Sequence, residues 1–406
     1  MKMALDYKNF AITYDSEIDD MVSKLNDSGI FDGQKLRLQA DCHIGKGCAI
    51  GTCLTYDDKI VPSLVGCDIA CRVSAFLLGD KYLNLDMAKV DKIVHENVPS
   101  GTSLCAEERE LSKNFNYESL RCWNDIKDGE QRFRRSIGTM GGNNHFVAIE
   151  QGIFSRRYYL VIHCGSRNLG KVVFDYYQGL AEQRRDEMAE DIRKDFEKKI
   201  AIAREEKRYQ EIASIIEERK KEINSLPDND LCYLRGDEAE DYLNDVDVLR
   251  NWSLVNHYAI AQSICGALGL GTDCELFTTS IHNYVDTQNH IIRKGAIGAY
   301  EGQLGIIPMN MRDGSLLVVG KGNEDYLWSA PHGAGRIMSR AQARKEIDLA
   351  KYEEEMSNVY TTCVSNSTLD EAPDAYKKIE DILPAIEPTV KIIERTIPVY
   401  NYKDKK

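Results

Sequence analysis

The apolar positions of this chain change rhythm several times, and each change predicts a different element. A short strand (Phe10 to Thr13) and an amphipathic helix (Glu17 to Leu25) come first. From Lys35 to Phe76, short β-type runs alternate with glycines: Lys35 to Leu38, Ala49 to Leu54, Ile60 to Val65 and Arg72 to Leu78. Runs of this length between turn residues predict strands. Residues 84–135 predict mostly helix, and strands return at Phe146 to Ile149 and Tyr158 to Ile162. The stretch Asp186 to Glu222 is dense in Glu, Lys and Arg. Within it Met188, Ile192, Phe196, Ile200 and Ala203 fall at helical spacing, as do Tyr209, Ile212 and Ile216, with Ile223 following. A narrow apolar stripe in a charged stretch predicts a long helical hairpin whose charges are solvated. A more buried helix is predicted over Asn244 to Leu268, strands from Glu275 to Val319, and a helix starting near Ser339. A last helix (Tyr376 to Ile386) and strand (Lys391 to Tyr402) complete the pattern.

No internal repeat or low-complexity linker divides the 406 residues. The segments that carry chemistry are scattered over almost the whole length. The expectation is therefore one interwoven α+β domain over 1–406. Mixed β-sheets are surrounded by helices, and a helical insertion occupies 171–247.

Composition narrows the possibilities. No apolar run is long enough to span a bilayer, so no membrane partner is expected. Met1 to Phe10 lacks an apolar signal core, and the twelve cysteines then predict reduced thiols in a cytoplasm. A net charge of −13 argues against general adhesion to nucleic acid. It leaves room for a local basic channel. Basic residues cluster at Arg132, Arg134 and Arg135, at Arg293 and Lys294, and at Arg336, Arg340, Arg344 and Lys345.

The richest segment runs from Ser329 to Arg340, where His332 precedes Gly333, Ala334, Gly335 and Arg336. Glycines let a backbone approach a ligand closely, and guanidinium forks match phosphate oxygens. An imidazole there can act as a nucleophile towards phosphorus. The plainer reading is a glycine turn beside a helix with surface arginines. Three more histidines stand at strand ends: His145 after Asn143-Asn144, His163 before Cys164-Gly165, and His282 before Asn283. With Asp68 and Cys71 they form a donor set suited to a borderline-soft divalent metal. The close pair spacing of a zinc finger is missing. His95 and His257 read as structural, His43 as a support to the site, and His290 as exposed. The other cysteines read as small buried hydrophobes.

These motifs resemble the RtcB family of RNA ligases. The likeness runs from Asp41 to Lys403 through ordered segments: Asp41-Cys42-His43, Gly66 to Cys71, Gly138 to Phe146, His163 to Gly170, Arg293 to Ala296, His332 to Arg340, and Asp370 to Lys377. It implies an enzyme that joins RNA 3′-phosphate or 2′,3′-cyclic phosphate ends to 5′-hydroxyl ends in RNA repair or tRNA splicing. It implies GTP and two Mn2+ ions as cofactors, and His332 as the residue that becomes guanylylated. Asp68 and Cys71 would bind manganese, His145 would serve one ion and His163 and His282 the other, with Cys71 bridging both. Asn144, His145, Asn310, Ser315, Gly333, Ala334, Gly335, Arg336, Tyr376 and Lys403 would contact nucleotide, and Arg167 and Arg340 the RNA. A monomer is the simplest expectation, and no protein activator is specified. The alternative is an RNA-end-binding or phosphodiesterase homologue with weak ligation or altered nucleotide choice.

The chain also departs from the family pattern. Cys67, Ala70 and Arg72 replace a valine and two glycines. Ala148 stands where a base-reading carboxylate is usual, with Glu150 and Asn310 as the nearest substitutes. This predicts a divergent member with weakened guanine selectivity.

Overall fold

The computed structural model describes residues 4–13, 15–79 and 85–405. Its centre is a seven-stranded sheet in which every neighbouring pair is antiparallel. The order is Leu304–Pro308, Ser315–Gly320, Val390–Tyr402, Phe146–Gly152, Tyr158–Cys164, Arg72–Gly79 and Glu275–Ile281. Strands from the start, middle and end of the chain therefore lie side by side, which is what interweaves the domain. A second sheet runs Asp6–Asn9, Lys35–His43, Ile50–Thr55, Ile291–Lys294, Asn283–Asp286, and its first pair is parallel. A short ribbon pairs Ala296–Gly298 with Ser329–Pro331 and leads straight into His332.

The helix Asp237–Leu268 joins two cores. Leu249 and Trp252 belong to the larger apolar cluster, and Ile260 and Ile264 to the one beneath the seven-stranded sheet. The predicted helical hairpin is present as Arg167–Glu205 and Ile212–Asn224. The 39 residues of the first arm extend about 58 Å at the usual rise. Its root buries Leu169, Val173, Tyr177 and Ala181, whereas farther out only Ala189, Phe196 and Ala203 are buried. The second arm buries none of its residues. Its exposed ion pairs, such as Lys220 with Glu217, contribute little.

Several expected elements differ. Phe10 to Thr13 is not a strand, because Asn9 Oδ1 accepts from the Ala11 amide and bends the chain. The strand is Asp6–Asn9 instead. Ile60 to Val65 turns into a 3-10 helix at Pro62, which cannot donate to a ladder. Residue 84, where the 84–135 helical stretch begins, lies outside the described residues. The remainder of that stretch holds Met87–Asn97 and three short α-helices. The tail helix starts at Ile379, since Tyr376 stays extended in a β-bridge with Arg336. Two exceptions appear among the cysteines: Cys67 is exposed and Cys274 half-buried.

Candidate active site

Four neighbouring strands of the large sheet end at the same edge, and their ends hold the candidate ligands. Cys71 precedes Arg72–Gly79, and His145 precedes Phe146–Gly152. His163 lies near the end of Tyr158–Cys164, and His282 follows Glu275–Ile281. The register sets Phe146 against His163, and Arg72 against both Cys164 and Ile281. Residues far apart in sequence are thereby gathered into one cluster. Cys71 Sγ lies 3.5 Å from His145 Nε2 and 3.4 Å from His163 Nε2. His145 Nε2 is 3.2 Å from Asp68 Oδ2, and His163 Nε2 is 3.4 Å from His282 Nε2. Two ligand groups share Cys71: Asp68, Cys71 and His145, and Cys71, His163 and His282.

The electrostatics of this cluster suit cations. Burial, followed by neighbouring histidines, pushes the His163 and His282 imidazoles well below their ordinary range, so they are neutral and keep lone pairs. His145 Nδ1 donates to the Met140 carbonyl, which turns Nε2 towards Asp68 and Cys71. Burial opposes the Asp68 charge, but bonding and charge from His145 outweigh it and hold the carboxyl at about 2. Burial and Asp68 push the Cys71 thiol up. A thiolate, three imidazoles and a carboxylate fit a borderline-soft divalent cation, and such a cation would draw off the thiol proton. Gly165 makes room for this packing: a Cβ there would come within 2.1 Å of Asp68 Oδ1.

His332 stands beside the cluster, its ring 5.0 Å from that of His282. Its Nδ1 lies 2.6 Å from Asp41 Oδ2, an ion-pair approach outside regular hydrogen-bond angles. The same oxygen accepts the backbone amides of His332 and Gly333. Asp41 is fully buried and fixes the loop from beneath. Gly335, at φ 74°, brings the loop so near that a Cβ would meet the Asp41 carbonyl at 2.2 Å. His43 hangs from the same residue, with Nδ1 donating to the Asp41 carbonyl.

These groups line a cavity of about 900 Å³. Asn144, Asn310, Gly333, Ala334, Gly335, Arg336, Arg340, Tyr376 and Lys403 all contribute to its wall. Two of its cations and a phenol converge on Glu371: Lys403 Nζ is 2.6 Å away, Arg340 forms a closer pair, and Tyr376 donates at 2.9 Å. Arg336 donates to the Asp370 carbonyl at 2.6 Å. Burial opposes the Glu371 charge, yet Lys403 and Arg340 prevail and hold its carboxyl at about 2. Three assigned residues stand outside the wall: His145, which meets Cys71 and Asp68 from behind it, Ser315 and Arg167. Ser315 is buried behind Glu150 and donates to it. Arg167 donates to the Gly101 carbonyl and to Thr139. Asn310 is at the wall, but its side chain is engaged by Arg312 and Asp313. Arg293 and Lys294 are turned inward, to Asp286 and to the carbonyls of Lys46 and Ser63. Arg134 pairs with Glu108 and Glu130. His257 is buried against Ser74 and Cys164, and His290 is exposed, both as expected.

Sequence reasoning gave no role to Asp41, Glu371 or Asn401. The first two lay inside quoted motifs, so the signal was present. Asn401 carried no local pattern and is found only through its register with Ala148.

The family model described as "tRNA-splicing ligase RtcB" matches residues 31–404. An RNA-splicing ligase RtcB of Escherichia coli is 28% identical over 393 residues, covering 88% of this chain and 87% of that protein. A tRNA-splicing ligase RtcB of Archaeoglobus fulgidus is 26% identical, covering 85% and 82%. An RNA-splicing ligase RtcB homolog 1 of Entamoeba histolytica is 23% identical, covering 84% and 75%. With the family model spanning nearly the whole of it, this chain belongs to the RtcB family.

Proposed function

We propose that this protein is a Mn2+- and GTP-dependent RNA ligase that joins 3′-phosphate or 2′,3′-cyclic phosphate ends to 5′-hydroxyl ends. The observation that carries the reading is His332, braced by Asp41, between a two-part ligand cluster and a cavity walled by cations. The Asp41 carboxylate facing Nδ1 would favour the tautomer with its proton there, which would leave the Nε2 lone pair free to attack. Attack on the α-phosphorus of GTP forms the N–P bond as the bond to pyrophosphate breaks. The positive charge left on the imidazole faces the Asp41 carboxylate. Two Mn2+ ions on Asp68, Cys71, His145, His163 and His282 would screen the triphosphate and stabilise the leaving pyrophosphate. A 2′,3′-cyclic end would first add water, breaking its P–O2′ bond to give a 3′-phosphate and a 2′-hydroxyl. The nucleotidyl group then passes from His332 to the RNA 3′-phosphate as the N–P bond breaks. A 5′-hydroxyl attacks that activated phosphate, loses its proton, and expels GMP.

Arg336, Tyr376 and Lys403 are assigned to the nucleotide, and Arg340 and Arg167 to the RNA ends. Residues 171–247 are taken as an insertion on the ligase domain. The free cysteines fit a reducing compartment such as the cytoplasm. The test is transfer of label from α-³²P-GTP to protein, followed by a chase with RNA bearing the two end types. Wild-type protein should take up label and release it into a joined product. Label absent from the wild type, or retained by His332→Ala, rejects the mechanism.

A further inference from the structure

The inner end of the cavity carries two acceptors that the ligase chemistry does not use. On the strand Phe146–Gly152, Phe146, Ala148 and Glu150 share one face. Phe146 and Glu150 line the cavity, while Ala148 packs into an apolar cluster with Val161 and Leu317. Directly across from Ala148, on Val390–Tyr402, stands Asn401. Asn401 also lines the cavity and is 3% exposed, and its Oδ1 has no hydrogen-bond partner among the described residues. An unpaired buried amide oxygen is costly, so a partner is expected from whatever fills the space.

Glu150 is 2% exposed and has hydroxyls for partners. Ser315 donates to Oε1 at 3.1 Å, and Thr396 to Oε2 at 2.5 Å. The charges on the elements around it are engaged elsewhere. Arg312 pairs with Asp313 and Glu355, Glu394 caps the amides of Phe154 and Ser155, and Lys403 pairs with Glu371. Tyr159, its register neighbour, and Arg395, farther along the Asn401 strand, do not bond to it. Burial therefore acts on Glu150 without an opposing cation and pushes its carboxyl up to about 7, with the two hydroxyls pulling the other way.

We propose that Glu150 and Asn401 read the base edge of the bound nucleotide, and that the preference for guanine over adenine rises with pH across the neutral range. The inference rests on the cavity being a nucleotide site. Guanine presents adjacent N–H donors at N1 and N2, which suit the Asn401 oxygen and an ionised Glu150. Adenine presents an acceptor at N1, which suits a protonated Glu150 as donor. Raising the pH through about 7 ionises the carboxyl, so guanine gains a charged acceptor while adenine loses a donor.

The experiment is displacement of a fluorescent GTP analogue from Mn2+-loaded protein by GTP, inosine triphosphate and ATP, at about pH 6 and about pH 8. Ratios of Kd cancel the titration of phosphates and metal ligands common to all three. From one unit below to one unit above the Glu150 midpoint, the ionised fraction rises about tenfold and the protonated fraction falls by the same factor, so the ATP-to-GTP ratio of Kd should rise at least about tenfold. Glu150→Gln should give a flat ratio, since Ser315 and Thr396 can rotate to serve an amide. Asn401→Ala should lower the ratio at both pH values. The inosine compound, without the 2-amino group, should fall between the other two. A wild-type ratio that does not move with pH overturns the proposal, as does a Glu150→Gln ratio that still rises. Failure of every nucleotide to displace the probe overturns the nucleotide-site reading, and this proposal with it. Should Glu150→Gln fail to fold, the wild-type profile and Asn401→Ala decide.

Discussion

The two ends of the cavity are built on opposite plans. At the histidine end the reacting and ligand groups are mostly braced by others: Cys71 by two imidazoles, His145 by a carbonyl, and the His332 loop by Asp41 through its backbone amides, with His282 Nδ1 left unpartnered among the described residues. At the inner end Glu150 has only rotatable hydroxyls, and Asn401 Oδ1 has no partner among the described residues. Chemistry that makes and breaks bonds to phosphorus needs fixed atoms. Recognition of a base edge needs only complementary donors and acceptors, which several side chains can supply. On the proposed reading, the ligand and nucleophile positions remain and Ala148 marks drift at the base end, while Cys67, Ala70 and Arg72 are departures beside the ligands.

The largest effect should come from His332→Ala. Labelling by α-³²P-GTP and ligation should both fall below detection, at least about 10⁴-fold, while bound metal is retained. Ligation by the mutant without pre-activated RNA would show that the fixed end is not where the chemistry starts.

Glu371→Gln tests the cations of the cavity wall. It removes the shared partner of Lys403 and Arg340, and breaking a buried pair costs about 3–5 kcal/mol. The sign with pH follows from its lowered carboxyl. The contribution is complete above the ordinary value of 4.5 and is lost as pH falls through about 2. Urea unfolding of the two proteins should therefore differ fully at neutral pH and converge only in that acid window. A difference that shrinks between neutrality and about pH 5 would contradict this account.

Cys71→Ser should follow, with metal affinity down about 100-fold or more, because a neutral hydroxyl replaces a sulfur within reach of both ligand groups. Metal content after dialysis is the measure. Two ions retained at wild-type affinity would make Cys71 a core residue only.

How much of this was legible follows from what each element depends on. The strands that carry His145 and His163 were read from their apolar runs, because a central strand is apolar on both faces. The helix Asp237–Leu268 was read seven residues short, since its first two turns are rich in acids and resemble the solvated hairpin before it. Phe10 to Thr13 was misread because one asparagine side chain, not the apolar pattern, decides the bend. At the site, the ligand types and His332 were visible as motifs. Asp41 as the brace, Glu371 as the hub and Asn401 as an open acceptor depend on contacts between distant segments, which periodicity does not carry. Arg293 and Lys294 show the converse. Two adjacent cations in sequence suggested a basic patch, and the sheet turned both inward.

Ala148→Glu sharpens the inner end. The position packs against an apolar cluster instead of the cavity. A carboxyl placed there without a partner should cost roughly 1–3 kcal/mol and bring no gain in guanine preference. A variant that is as stable as wild type and markedly more guanine-selective would place the base against Ala148 and reduce Glu150 and Asn401 to bystanders.

The smallest effect concerns a departure at the fixed end. Ala70 has φ 59°, a left-handed conformation that costs a residue with a Cβ about 1–2 kcal/mol. It is held there by the Ser253 hydroxyl on its carbonyl and by its amide donating to the Asn283 carbonyl. The same Ser253 accepts from Arg72, the neighbouring departure, so both changes are tied to the helix Asp237–Leu268. Ala70→Gly should relieve the strain, while glycine's freedom in the unfolded chain returns about 0.4–1 kcal/mol of it. The net expectation is a gain of about 0.5–1 kcal/mol in unfolding free energy, with metal content unchanged. A loss of stability would mean that the Ala70 methyl packs well enough to outweigh its backbone, and that this end has been repacked around the substitution.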